Sequence, residues 1–177
     1  MKKLIVVASV VVLVVGVMGV AAANGDSQRN AFKARLGGYQ EVPSISTTGN
    51  GELRLKVNPA GTEIAYTLTY SGLQGGAATA SHIHFAQSGV NGGVLAWLCG
   101  GGDKPACPVV PATVTGTIDA PDILAIQGIA AGDMAAALRA IRAGVTYANV
   151  HNAGFPGGEI RGQIRAQGNG KGKGKND

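Results

Sequence analysis

The chain has 177 residues, the usual length of one domain. Charged residues make up 14% of it, below the roughly 25% of an average soluble chain, and glycines number 29. Few charges, many glycines and runs of Thr, Val and Ile favour short strands joined by tight turns, and they exclude a fold built on long helices.

The net charge of +5 does not indicate a nucleic-acid-binding face, because the excess lies at the two ends of the chain. Between the ends the chain carries 10 basic and 9 acidic residues. We therefore expect no nucleic-acid partner. The charged residues of the two ends are Lys2, Lys3, Lys171, Lys173, Lys175 and Asp177.

Residues 1–23 are typical of a signal peptide. A short basic start is followed by an apolar stretch, residues 4–20, and by three alanines that offer a cleavage site. The alternative is an uncleaved anchor, because the apolar stretch approaches the roughly 20 residues that cross a bilayer. The sequence predicts export to the periplasm, the cell surface or the medium, with membrane attachment only if the leader is retained.

The rest of the chain divides into three segments. Residues 24–30 are polar and predict a flexible lead-in, and residues 31–166 form the folded domain. Residues 167–177 are rich in Gly and Lys and lack apolar residues, which predicts a disordered tail.

Alternating apolar and polar residues predict about eight strands. Residues 31–36 point Phe32, Ala34 and Leu36 inward, and residues 52–57 and 63–70 flank a turn and predict a hairpin. Further strands are predicted at residues 79–85, 94–98, 112–118, 145–151 and 159–165.

One helix is predicted at residues 133–144, with Asp133 at its N-cap and Gly144 at its C-cap position. Many short strands with one short helix in a crossover predict an all-β Greek-key sandwich. Four aromatic residues are expected in its core: Tyr66, Tyr70, Phe85 and Trp97.

Cys99 and Cys107 enclose seven residues. We predict a disulfide between them, because an exported protein is where such a bond persists. A zinc site is the weaker alternative, since zinc-binding cysteine pairs usually lie two to four residues apart.

All three histidines fall in two of the predicted strands. His82 and His84 are two residues apart, so they share one face of a strand, and His151 joins them if its strand lies alongside. Three imidazoles suit one copper or zinc ion and leave a coordination position open. The alternative is structural: the rings hydrogen-bond loop carbonyls and lock one end of the sandwich.

Four polar residues of the last two strands are candidate partners that orient the rings: Asn149, Asn152, Glu159 and Arg161. Glu159 and Arg161 share a face of the last strand. We interpret them as a solvated surface pair, and the alternative is a charged pair beside the histidines. No catalytic residue is predicted, because Ser81 and His82 point to opposite faces and form no nucleophile–base pair.

Three stretches resemble the motifs of the CHRD domain, the module named after chordin. They are residues 36–43, residues 81–84 with the glycines of 89–93, and residues 147–162. The resemblance covers residues 31–165 and implies an exported, bacterial-type, single-domain protein. It also implies an immunoglobulin-like or superoxide-dismutase-like sandwich.

The histidine strand and the last strand are also similar to features of copper/zinc superoxide dismutase. That enzyme needs more histidines and a zinc-binding Asp, whereas this chain has three histidines in all. Two hypotheses follow. The first is an extracytoplasmic binding or structural module whose partner is an extracellular protein or a cell-envelope component. The second is a copper or zinc carrier, or a weak redox enzyme.

Overall fold

The computed structural model describes residues 30–167. The predicted signal peptide, almost all of the lead-in and nearly the whole tail lie outside these residues. Nine strands and one α-helix are formed, with short 3₁₀ turns at Gly38–Gln40 and Ala120–Asp122. The strands are β1 Ala31–Gly37, β2 Asn50–Val57, β3 Ile64–Ser71, β4 Ala78–Phe85, β5 Gly93–Cys99, β6 Ala112–Ile118, β7 Thr146–Asn152, β8 Ile160–Gln163 and β9 Arg165–Ala166, and the helix α1 is Met134–Arg142.

The strands form one antiparallel sheet in the order β5-β4-β7-β8-β1-β2-β3-β6, with β9 paired to β1. The sheet curls over, so that its two end strands come into contact. The hydroxyl of Tyr66 on β3 donates to the carbonyl of Leu98 on β5 at 2.8 Å and ties the layers together. The all-β prediction is confirmed, and the sheet has a barrel-like sandwich shape.

The order of the strands explains why the two histidine segments meet. β6 lies at one end of the sheet, and the connection through α1 returns the chain to β7, which pairs with β4. This is the return connection of a Greek key. Strands far apart in the chain thereby become neighbours.

The apolar residues of the alternating pattern form the core of the sandwich. Phe32, Ala34 and Leu36 are buried as predicted, and the hairpin of β2 and β3 pairs Val57 with Ile64 beside its turn. A group of fully covered side chains fills the interior between the layers. Its members include Leu53, Leu68, Leu98, Val150 and Ile160.

The helix and the disulfide also follow the sequence. Asp133 caps α1 by accepting a hydrogen bond from the Ala136 amide at 2.8 Å, and Gly144 follows the helix with a φ of 71°. Cys99 and Cys107 form the predicted disulfide. None of the helices in residues 30–167 is long and apolar enough to cross a membrane.

The last predicted strand differs in detail. Residues 159–165 are interrupted at Ile164, whose amide donates to the Thr146 carbonyl of β7, and the chain then pairs with β1 as β9. The described part of the chain therefore forms nine strands, not eight.

Candidate metal centre

The ladder between β4 and β7 assembles the histidines. Ala80 pairs with His151 and His82 pairs with Asn149. Cross-strand partners point to the same face of a sheet, so both positions of β7 join His82 and His84 on one face. The residues between them, such as Ile83, face the core.

The three rings form a compact cluster. The centroid of the His82 ring lies 4.6 Å from that of His151 and 5.2 Å from that of His84, and the last two centroids are 6.3 Å apart. One ring nitrogen from each histidine lies within 4.8 Å of the other two. Each residue is 8–9% exposed, so the cluster is nearly enclosed by protein.

Backbone carbonyls determine which nitrogens face the centre. Nδ1 of His84 donates to the Gly92 carbonyl at 2.9 Å, and Nδ1 of His151 donates to the Pro156 carbonyl at 3.0 Å. A neutral imidazole carries one N–H, so Nε2 of each of these rings keeps a lone pair. Nε2 of His84 lies 3.2 Å from Nδ1 of His82, which donates to that lone pair in the metal-free protein.

His82 has the least satisfied ring. Its Nε2 is buried and has no hydrogen-bond partner. Its centroid lies 4.2 Å from the Trp97 ring in an edge-on arrangement, and Gly101 and Gly102 of the disulfide loop pack closely on that indole. Trp97 is therefore half-buried beside the cluster rather than a purely core residue, while Tyr66 is in the core as predicted.

Burial keeps the cluster uncharged. Burial is the main cause that lowers the pKa of His82 to about 3, with smaller contributions from His151 and His84. It also lowers the pKa of His84 and that of His151, although their carbonyl contacts act in the opposite direction. Neutral imidazoles are the form that binds metals.

Arg161 contacts the cluster indirectly, through Tyr147. Its guanidinium carbon lies 3.4 Å from the centroid of the Tyr147 ring, and the other face of that ring stacks on His84 at 4.7 Å. The guanidinium also donates to the Asn91 side chain at 2.9 Å and the Val90 carbonyl at 2.7 Å. These contacts hold the loop that carries Gly92.

The solvated-pair interpretation of Glu159 and Arg161 is wrong. Both residues are buried, at 0% and 2% exposed, because loops cover this face of the last strand. They also have different environments: Arg161 stacks on Tyr147, whereas Glu159 binds a separate group of donors.

Glu159 and Asn152 form a network that does not include the rings. The carboxylate accepts hydrogen bonds from the Asn152 amide, the Thr47 hydroxyl and the backbone amides of Gln74 and Gly75. Burial raises the pKa of Glu159, but these bonds outweigh it and hold the pKa below its usual value. Of the four candidate partners, only Asn149 contacts a ring directly, and Arg161 reaches His84 through Tyr147.

Sequence reasoning missed Glu41. It belongs to the first CHRD-like motif, is 6% exposed, and its Oε1 is buried without a partner. Burial raises the pKa of Glu41 to about 7, against the opposing charge of Arg161 and the Val42 amide. Asn91 joins its loop to the site by donating to the Val42 carbonyl at 3.0 Å. An acid inside a turn motif with Pro43 gave no signal of burial.

The donor set and its spacing fit a small transition-metal ion. Two nitrogens bound to one zinc ion at 2.0–2.1 Å lie at most about 4.2 Å apart. Nδ1 of His82 and Nε2 of His84 are 3.2 Å apart, within that limit. One nitrogen from each of the three rings lies within 4.8 Å of the others, so binding one ion requires ring movements of less than about an ångström. Imidazole suits both copper and zinc.

Together, the fold and the cluster define a class of protein: an antiparallel β-sandwich module that carries a buried histidine triad on one face. The model of the CHRD domain matches residues 32–164, and the chain belongs to the CHRD domain family. This membership points to a binding or structural module. No curated protein and no solved structure matches the chain.

Proposed function

We propose that this CHRD module holds one copper or zinc ion through His82, His84 and His151. The observation that carries the proposal is the convergence of ring lone pairs, with Nδ1 of His84 and of His151 held by backbone carbonyls. An imidazole whose Nδ1–H is held in this way presents its Nε2 as a ligand.

A purely structural role accounts for less of this geometry. Two Nδ1–H groups do lock loops, as that interpretation requires. However, the carbonyl contacts also leave Nε2 of His84 and Nε2 of His151 without protons inside a nearly enclosed cluster, and a purely structural role gives these two lone pairs no function. A bound cation would use both.

The ion would be held rather than freely exposed. The rings are nearly covered, and three histidine ligands leave one position for a further donor. This arrangement suits a metal-holding module better than the two-metal chemistry of a dismutase. The partner would be an extracellular protein or a component of the cell envelope.

Export is part of the proposal. The leader-like residues 1–23 support it, and so does the disulfide between Cys99 and Cys107, because such bonds persist in oxidising compartments. The protein would then take up its ion outside the cytoplasm.

Metal analysis of protein purified without a histidine tag tests the proposal. After loading with zinc or with copper and removal of excess metal, we expect one ion per chain and a higher melting temperature. Alanine at His82, His84 or His151 should abolish both effects. Retention of less than 0.1 ion per chain (~10% occupancy), with unchanged thermal stability, would refute the metal site.

The matched control is Asn152→Ala. Asn152 is as buried as the histidines and adjoins His151 in β7, but its amide binds Glu159. This variant should lose stability and still bind one ion. Loss of binding in this control would show that general loosening of the strand explains the histidine variants.

A further inference from the structure

We propose that the carbonyl oxygen of Asn149 is a fourth protein ligand of the same ion, so that the site has three nitrogens and one oxygen. The inference rests on the proposed metal site and specifies its donor set. It starts from the position of Asn149, which faces His82 across the β4–β7 ladder and lies two residues before His151. The residue is 2% exposed.

The side-chain oxygen of Asn149 faces the centre of the cluster. Oδ1 lies 2.9 Å from Nε2 of His151. That nitrogen has a lone pair, because Nδ1 of the same ring donates to the Pro156 carbonyl. Two acceptors this close repel each other unless a proton or a cation lies between them, and a shared metal ion would supply that cation.

The other end of the amide explains this orientation. Nδ2 of Asn149 and Oε1 of Glu41 both lie against Gly158, where an added Cβ would come within 2.8 Å of the first and 2.4 Å of the second. Oε1 is buried and lacks a partner. The N–H₂ end of the amide therefore lies on the side of the Glu41 carboxyl group, and the carbonyl oxygen lies on the side of the rings.

Glycine at position 158 makes this approach feasible. Its φ of 121° is a backbone conformation that residues other than glycine rarely adopt. Its missing Cβ leaves the space that the Glu41 carboxyl group and the Asn149 amide occupy. A side chain at position 158 would occupy this space and displace the Asn149 amide.

An oxygen ligand has a consequence for the choice of metal. Zn²⁺ and Cu²⁺ accept mixed nitrogen and oxygen donors, whereas Cu⁺ prefers softer ligands. The donor set therefore favours the divalent ions. Removing the oxygen should weaken zinc binding and leave Cu⁺ binding by the three rings nearly unchanged.

Zinc titrations of three variants test the inference. Asn149→Ala removes the oxygen, and we expect zinc affinity to fall at least about 10-fold. Asn149→Asp keeps a ligand oxygen, so its zinc affinity should stay within about 3-fold of the wild type or exceed it. Asn152→Ala, the control with an equally buried amide, should also stay within about 3-fold.

The outcomes separate the inference from the proposal beneath it. If the wild type binds no zinc, the metal site itself fails. If the wild type binds zinc and Asn149→Ala loses less than about 10-fold, the oxygen is not a ligand. A loss in Asn149→Asp as large as that in Asn149→Ala also overturns the inference, because Asp keeps an oxygen that could bind the ion. Melting of the metal-free variants shows that each one folds.

Discussion

Two buried polar groups begin at adjacent residues of β7 and have opposite characters. Asn152 donates to Glu159, whose two carboxylate oxygens both accept hydrogen bonds. His151 leads to the ring cluster, where lone pairs converge and one nitrogen has no partner. The first network is complete and holds loops together. The second is incomplete within the protein, which is the property expected of a site that takes a ligand.

The comparison predicts that the complete network contributes most to stability. Glu159→Gln replaces an acceptor oxygen with an N–H₂ group that faces donors, and we expect a loss of about 3 kcal/mol in the free energy of unfolding. Urea unfolding measures it, with exposed Glu63→Gln as the control at about zero. Zinc binding should persist in Glu159→Gln, and its loss would contradict the separation of the two groups.

The incomplete cluster should show the reverse pattern. His151→Ala removes a ligand and should weaken copper or zinc binding at least about 100-fold, equivalent to about 2.8 kcal/mol. Metal-free stability should fall by about 1–2 kcal/mol from the lost contact with the Pro156 carbonyl, less than in Glu159→Gln. Trp97 gives the signal, since it is the one tryptophan of the chain and adjoins His82. One equivalent of Cu²⁺ should quench its fluorescence in the wild type. Equal quenching in the variant would place the copper elsewhere.

Arg161 joins the cluster to the surrounding loops, so its replacement should have an intermediate effect. Arg161→Met loses the stack on Tyr147 and the bonds that hold the loop of Gly92. We expect zinc affinity to fall about 10-fold, the cost typical of groups that orient a ligand. Arg54→Met is the control, because Arg54 is exposed and pairs only with Glu52 in the part of the chain described. Equal effects in the two variants would remove Arg161 from the site.

The smallest effect concerns pH. His82 has a lowered pKa of about 3 in the folded chain, so the unfolded chain binds more protons and stability is lost as pH falls below about 6.5. Glu41, whose pKa is raised, acts in the opposite direction. The difference in free energy of unfolding between wild type and His82→Ala isolates the contribution of the histidine. In metal-free protein this difference should change by about 1 kcal/mol between pH 6.5 and 5.5. Parallel stability curves would indicate a normal histidine.

Much of the fold could be predicted from local pattern. Period-2 alternation located the strands, and Asp133 with Gly144 marked the ends of α1. The clustering of the three histidines could be predicted only as a hypothesis, because it depends on the pairing of β7 with β4 after the α1 crossover. Strand pairing over such distances is set by tertiary packing, which alternation does not encode.

The surroundings of the site were harder to predict. Glu159 and Arg161 alternate with apolar residues, which is the pattern of a solvent-facing strand, yet loops cover that face. Glu41 lies in a turn, where a charged residue is normally exposed. One sequence feature did indicate that the site is covered. β7 contains almost no charged residue, which is typical of a strand covered on both faces, and all seven of its residues are buried.

The most direct test observes the ring nitrogens themselves, by NMR of protein with ¹⁵N-labelled histidine during a zinc titration. At one equivalent of zinc we expect the Nε2 signals of His84 and His151 to shift as metal ligands, while both Nδ1 atoms keep their protons for the Gly92 and Pro156 carbonyls. Histidine signals that do not change with one equivalent of zinc, in folded protein, would contradict the account.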